Sequence, residues 1–278
     1  MLEVIFEDDH DTAAFLHLIQ QSDDRRHFIV REGIKKVGIA RSETAFCVQR
    51  FIEPILVRFF LECKEDEHML SLIEDAYCFT DQDEQQQILQ LAHSIMEGEL
   101  ELDDHPFEPK KEPRTQFISD ALRTISLDAG VFSVRSFQTF RLGRYYERLR
   151  EYAEAAIDEY RMEQEYQNFI QSLRDYVTSN PPRMKKVRIV HDRAFTLWEL
   201  RYLSEREQKK YIDRRFVREH PMYIDSHLLA PLISIAPETV ELYTDKPEHM
   251  MSRTIQNVFQ ERVRLFPLGA FAAEKTEG

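Results

Sequence analysis

Glycine is scarce in this chain, with seven in 278 residues. Loops that cradle phosphates are built from closely spaced glycines, and no GxGxxG, Walker A, HExxH or GxSxG pattern occurs. Nucleotide enzymes and the common zinc or serine hydrolases are thereby disfavoured, and no cofactor or metal is expected. Cysteine is scarce too. Cys47, Cys63 and Cys78 are odd in number and have no CxxC spacing, which argues against a zinc site or a disulfide framework and predicts buried thiols. Long apolar runs are missing as well. The longest uncharged one, His227 to Pro237, is about half of the ~20 residues a membrane span needs. MLEVIFEDDHD lacks the positive start and apolar core of a signal peptide, so a cytoplasmic protein without membrane insertion is expected.

What the chain does have is charge and hydrophobic pattern. Hydrophobic residues make up 42% and charged residues 31%, with a formal net charge of −13. That charge is uneven. Residues 1–112 hold 26 acidic and 11 basic side chains, whereas residues 113–278 hold 24 and 26. A chain of this length fills one large or two small domains. Residues 1–104 read as an acidic N-terminal α/β and helical region, 105–116 as a charged, proline-containing linker, and 117–278 as a C-terminal α+β domain. The fold class expected is α+β and predominantly helical: a small N-terminal β-α-β-β unit plus helices, then a larger helical domain with a long central helix and a few short strands.

The elements behind that expectation come from periodicity. Leu2 to Phe6 reads as a strand, Thr12 to Gln21 as a helix behind an Asp11 cap, and His27–Arg31 with Lys36–Ala40 as a hairpin turning at Gly33. Three helices fit Glu43 to Met96, and Phe117 to Ile125 fits a short one that the stretch around Gly130 ends. A long helical pattern runs from Phe137 to Val177 and is stopped by Asn180-Pro181-Pro182. Val187–Val190 and Phe195–Trp198 suggest a second hairpin. Ser204 and Glu207 have capping-box spacing, which predicts a helix from there to about Glu219. Leu228 to Ile235 fits helix or strand equally. Val240 to Tyr243 alternates as a strand, and Pro247 suits the first residue of a last helix reaching Phe259 or beyond.

The long helix carries closely spaced carboxylates in EYRMEQEYQNFIQSLRDYV, Glu159 to Val177. At about 100° per residue, Met162, Tyr166, Phe169, Ile170, Leu173, Tyr176 and Val177 form a buried stripe, with Glu163 and Glu165 on opposite flanks. Those two cannot share a metal ion. Glu159 and Glu163 share a face, yet no histidine lies between Phe107 and Val190 to complete a bundle-type carboxylate site. They read as a solvated flank. Upstream, Tyr145, Leu149, Tyr152, Ala153, Ala156, Ile157 and Tyr160 cluster on a face displaced by roughly 120°. Near residues 158–162 the helix therefore bends or breaks, or its two halves pack on different partners. Arg141, Arg144 and Arg148 read as salt-bridge partners of Glu147, Glu151 and Glu154.

The sharpest chemical signal is basic. Residues 183–218 hold 12 Lys and Arg against five acids. Lys185, Lys186, Arg188, Arg206, Lys209, Lys210, Arg214 and Arg218 form the candidate binding surface, with Arg206, Lys210, Arg214 and Arg218 stepping by four along one helix. Beside Trp198, Tyr202 and Tyr211 such a ridge suits a phosphate backbone, bound without sequence preference and sensitive to salt. The plainer readings are a solvated face or docking on acidic protein surface. His191-Asp192 is placed on a hairpin turn rather than in a catalytic dyad, and His220, Asp225 and His227 read as polar surface groups. No catalytic residues are assigned.

The run FRLGRYYERLREYAEAAIDEYRMEQEYQNFIQSLRDYV, with VRIVHDRAFTLW, PETVELY and IQNVFQERVRLF after it, resembles the YtxC-like family over residues 137–264. That resemblance implies a bacterial cytosolic protein with a proposed role in sporulation, and it supplies no catalytic residues. A non-catalytic protein acting through a protein partner or self-association is the leading expectation, with RNA or DNA binding through residues 183–218 as the alternative.

Overall fold

The computed structural model describes residues 1–42, 47–100, 113–127, 130–199, 202–213 and 227–271. Two compact units divide the chain, Met1–Arg161 and Met162–Gly278.

The first unit opens with β1 (Leu2–Ile5), α1 (Asp9–Gln21) and the hairpin β2 (Phe28–Gly33) and β3 (Lys36–Arg41), as the alternating pattern requires. Helix α1 starts earlier than expected. Asp8, not Asp11, is the cap, taking the Asp11 N–H on its carboxylate at 2.7 Å. Asp11 is instead buried and paired to Lys64 at 2.7 Å. Helices α2 (Val48–Phe59), α3 (Glu65–Ser71) and α4 (Gln82–Glu97) follow, with π-helical turns at Phe60–Lys64 and Leu72–Ala76. Helix α4 ends where Gly98 takes φ 75°, a left-handed cap that glycine adopts without strain.

Most of the expected linker, residues 105–112, lies outside the described residues. Beyond it come α5 (Arg114–Arg123), β4 (Gly130–Ser133), α6 (Val134–Arg141) and the start of α7 (Gly143–Ser179). Strand β4 was not expected, because GVFS is too short to show a period. It pairs in parallel with β1, giving the sheet order β2-β3-β1-β4. The structural division thus falls at Arg161, beyond the expected domain start at residue 117. Long-range pairing by β4 and the packing of α5 on α2 bind residues 113–161 to the acidic region.

The unit's core is aromatic at its centre, with Phe15 5.1 Å from Phe6 and 5.7 Å from Phe59 between ring centroids. Tyr145, Leu149, Tyr152, Ala153, Ala156, Ile157 and Tyr160 of α7 join the same cluster. Within this core sits a buried carboxylate. Glu65 accepts hydrogen bonds from the Tyr145 hydroxyl and the Arg114 guanidinium, so one residue of α3 ties α5 and α7 together. Burial and the neighbouring Glu65 charge push the Tyr145 phenol well up from its ordinary value. Lys64 next to it joins Asp11 and Glu67. Its own burial works against the ammonium, but the hydrogen bonds to those two carboxylates outweigh it and hold its pKa up.

Helix α7 is continuous from Gly143 to Ser179, and Leu142 separates it from α6. The displaced apolar faces have the second of their two explanations. Residues up to Tyr160 enter the first core, whereas Phe169, Ile170, Leu173 and Val177 enter the second. Met162, expected in the later stripe, is 52% exposed, because it stands at the division between the units.

The second unit holds β5 (Lys186–His191), β6 (Phe195–Trp198), α8 (Glu205–Tyr211), α9 (Leu229–Ile235), β7 (Thr239–Thr244), α10 (Met250–Phe259) and β8 (Val263–Phe266). Its sheet order is β6-β5-β7-β8, with β5, β7 and β8 parallel and β6 antiparallel. The undecided segment is helix α9, buried on every side, a case where periodicity cannot separate helix from strand. Pro231 falls in its first turn, where no intrahelical N–H bond is lost. The last helix starts after Pro247, at Met250, because His249 provides the cap. It ends at Gln260, whose φ of 45° turns the chain into β8, a strand not expected. Cys47 and Cys78 are exposed and Cys63 is half-buried, contrary to the expectation of buried thiols. Cys47 precedes α2 and Cys78 occupies a left-handed turn, φ 62°, both at element ends, where core burial stops. No helix among the described residues is long and apolar enough to cross a membrane.

On the second sheet Glu241 of β7 is buried and holds Lys186 at 2.6 Å and Arg188 at 3.2 Å. Burial alone would raise its carboxyl pKa, but the two cations outweigh burial and depress it.

Two predictions follow from these buried charges. Glu65→Ala strands Arg114 and the Tyr145 hydroxyl and is expected to cost about 3 kcal/mol, against about 1 kcal/mol for Tyr145→Phe. Hydrogen exchange of α3, α5 and the start of α7 measures both, and equal effects would refute a central role for Glu65. Because the Glu241 pKa is lower folded than unfolded, its stabilisation is complete above the unfolded carboxylate pKa of about 4.3 and is lost as pH falls through the folded value. The urea midpoint followed by Trp198 fluorescence is therefore expected to drop more steeply with acidification in the native chain than in Glu241→Gln.

Candidate functional site

The basic stretch lies in the second unit, and strand alternation divides it. Lys186 and Arg188 are two apart on β5, so they share a sheet face. Arg188 stands directly opposite Glu241 in the β5–β7 register. Both cations pair with that carboxylate, which offsets one of their two charges. Lys185, just before the strand, is exposed.

Helix α8 begins with the expected capping box, the Glu207 carboxylate accepting from the Ser204 N–H at 3.0 Å and from its hydroxyl at 2.7 Å. Its buried side is fixed by Gln208, which donates to the Leu203 carbonyl at 2.7 Å, leaving Arg206, Lys209 and Lys210 exposed. The helix stops at Tyr211, short of Glu219. Arg183 donates to the Tyr211 carbonyl at 2.9 Å and the Asp213 N–H turns to Ser234. These contacts bring Arg183 to the end of α8. Of the expected ridge, Arg206 and Lys210 are described, and Arg214 and Arg218 lie outside the described residues. Among the described residues no carboxylate forms an ion pair with Lys185, Arg206, Lys209 or Lys210.

The aromatic neighbours are mostly occupied. The Trp198 indole donates to Thr196 at 3.0 Å, and its ring packs 5.3 Å from both Tyr202 and Phe271. Tyr202 keeps 43% of its surface. His191 is not on a turn: it is the last residue of β5, buried and stacked on Phe195. His227 is exposed, while His220 and Asp225 lie outside the described residues.

The carboxylate and arginine clusters behave structurally. Glu163 is exposed and accepts from Gln167, a solvated flank. Arg148 is buried against Glu151 and Tyr152. Asp8, His10 and Asp11 come within 4.8 Å of one another, but Asp8 caps α1 and Asp11 is held by Lys64, so both carboxylates are already engaged.

A second surface, in the first unit, escaped the sequence. Leu2 and Val4 of β1 point into the core, so Glu3 and Ile5 point out. By register, Ile29 of β2, Gly38 and Ala40 of β3 and Val131 of β4 lie on that outer face. Met1 follows the same alternation, its sulfur 3.6 Å from where a Gly38 Cβ would stand. Exposures are 56% for Met1, 38% for Ile5, 47% for Ile29 and 66% for Val131. One ion pair, Lys36 to Glu3 at 3.5 Å, crosses the face. At the β4 edge the apolar surface continues into a shallow depression of about 360 Å³ lined by Val131, Phe137 and the exposed Phe140. The outward isoleucine in LEVIF was the only sequence signal.

Comparisons with known proteins bear on the identity of this scaffold. No solved structure matches the chain. Uncharacterized protein YtxC of Bacillus subtilis (strain 168) is 75% identical over 271 residues, covering 98% of this chain and 96% of that protein. The model of the YtxC-like family matches residues 50–264, from the first turn of α2 into β8, well beyond the 137–264 run that carried the resemblance. The chain belongs to the YtxC-like family.

Proposed function

We propose that this chain is a non-catalytic cytoplasmic protein that works by docking another protein, in the sporulation role that the family resemblance implies. The observation that carries the reading is the outer face of the first sheet. Met1, Ile5, Ile29 and Val131 form exposed apolar surface on one side of a sheet whose other side is core. Single exposed apolar residues need no explanation, but several on one sheet face, interspersed with Glu3, Arg31 and Lys36, fit a protein contact of mixed apolar and charged character. Gly38 and Ala40 are small, and the Met1 and Arg31 side chains lean over Gly38.

A second reading, nucleic-acid binding, is favoured by one observation. Lys185, Arg206, Lys209 and Lys210 are exposed and have no ion-pair partner among the described residues, near where Arg183 fastens the end of α8. It is weakened by the pairing of Lys186 and Arg188 with Glu241.

Ile29→Lys/Val131→Lys is expected to leave the thermal midpoint almost unchanged, since both side chains are exposed, and to abolish complementation of a sporulation defect in a deletion strain. A photo-crosslinking residue at position 29 or 131 is expected to capture one discrete species that a probe at Glu205 does not. Full complementation by the double variant sinks the docking face. For the second reading, short RNA and DNA are titrated at several salt concentrations. Binding that weakens linearly in log salt and vanishes in Lys209→Glu/Lys210→Glu would move the function to nucleic acid.

A further inference from the structure

In parallel sheets, ligands bind beyond the carboxyl ends of the strands, where the chain leaves adjacent strands in opposite directions. The second unit has one such place. From β5 the chain goes to β6 on one side of the sheet, and from β7 it goes through α10 to β8 on the other. His191 ends β5 and Thr244 ends β7, directly opposite each other.

The groups gathered there are hydrogen-bond donors. Thr244 Oγ1 accepts the Lys246 N–H at 3.0 Å and lies 3.0 Å from His191 Nδ1. The Thr244 hydroxyl can donate to Nδ1, an arrangement that puts the His191 proton on Nε2. His249, whose ring centroid lies 4.8 Å from that of His191, accepts the Met251 N–H on its own Nδ1 at 3.2 Å. Its proton is therefore on Nε2 as well. Among the described residues neither Nε2 has a partner and Lys246, which is exposed, has no ion pair. His249 caps the ten-residue helix α10, whose first-turn amides add positive potential.

An independent observation points to a missing partner. Among the described residues Ser252 Oγ is the buried side-chain polar atom left without a hydrogen bond. It sits in the first turn of α10, three residues after the His249 cap, on the helix's buried side with Ile255 and Phe259. A buried unsatisfied hydroxyl is costly enough to call for an occupant. Two of the three nearby carboxylates are engaged. Asp245 takes the Leu268 N–H at 3.0 Å, Glu248 is held by Arg253 at 2.6 Å, and Asp192 is exposed beside His191.

We propose that the carboxyl ends of β5 and β7 and the amino end of α10 bind a phosphate group, free or as a small monoester, through His191, His249 and Lys246. A divalent metal is the wrong class, because Nδ1 of His249 is occupied as an acceptor and Nε2 carries the proton, leaving no lone pair for a cation. Burial, then the charges of His249 and Lys246, hold the His191 imidazole below its ordinary pKa, with Asp192 opposing them. A bound dianion reverses that balance, so binding tightens as pH falls.

The test is NMR on the full chain at constant ionic strength, following the His191 and His249 rings and the amides of residues 250–253. Inorganic phosphate and O-phosphoserine serve as probes, with chloride and Zn²⁺ as controls. Sulfate, whose charge does not change between pH 6 and 8, isolates the histidine contribution. Saturable shifts with phosphate or the monoester, absent with chloride, are expected, and the tighter of the two tells free from esterified ligand. Lys246→Ala, a surface change, is expected to weaken binding about tenfold, the loss of one charged contact. His249→Asn keeps a cap acceptor and is expected to weaken it similarly. Absence of saturation, equal shifts with chloride, preferential Zn²⁺ binding, or unchanged affinity in Lys246→Ala would each overturn the site.

Discussion

The constraint on which the structure depends is the rotation of the apolar face along α7. A helix with one stripe can serve one core, whereas here the stripe ending at Tyr160 joins one core and the stripe resuming at Phe169 joins another. Each therefore needs its own partners: the first finds α3, α5 and their aromatic core, the second finds the β5–β8 sheet with α9 and α10. The division at Arg161 follows from that phase change, not from a break in the backbone. Arg161, Met162 and Glu163 between the stripes are exposed, as residues belonging to neither face must be.

A core reached by so long a route has to fix its register, and buried charge does so more specifically than apolar packing can. Glu65 accepts only from donors placed where Arg114 and Tyr145 stand, and Lys64 is satisfied only by Asp11 and Glu67. A slip of α5 or α7 by one turn would leave these groups buried and unpaired, which costs far more than a displaced leucine. The π-helical turn at Phe60–Lys64 immediately precedes Glu65, so the local widening of the helix sets where that carboxylate points.

Elements with a long or clean period were legible in the sequence. The capping box of α8 and the stop at Asn180-Pro181-Pro182 rest on local chemistry and stand where expected, and the first hairpin forms too, though it turns at Ile34-Lys35, with Lys35 at φ 51°, and not at Gly33. The phase change in α7 was legible too, as a choice between a bend and two partners. What escaped depends on partners distant in the chain. Strand β4 exists because β1 lies beside it, and β8 because β7 does, while neither segment of four residues carries a period of its own. The start of α10 moved from Pro247 to Met250 because a histidine cap competes with a proline start. Of the basic surface, the charge density was visible, but not that Glu241, 55 residues after Lys186, would pair with two of its members.

Charge in this chain follows the units more closely than it follows the sequence halves. Residues 1–161 carry 33 acidic and 19 basic side chains and residues 162–278 carry 17 and 18, so the acidity belongs almost wholly to the first unit. A near-neutral unit does not attract polyanions by its net field, and selectivity for an anion must then come from local arrangement. The two arrangements in the second unit differ in kind. On α8, mobile ammonium and guanidinium groups stand in water, where each contact is weak and screened by salt. At the ends of β5 and β7, imidazoles are held by Thr244 and by the Met251 N–H, so their donors are oriented before any ligand arrives. Orientation of that kind is what permits discrimination between a tetrahedral oxyanion and a halide of the same charge sign, which an exposed lysine cluster cannot make.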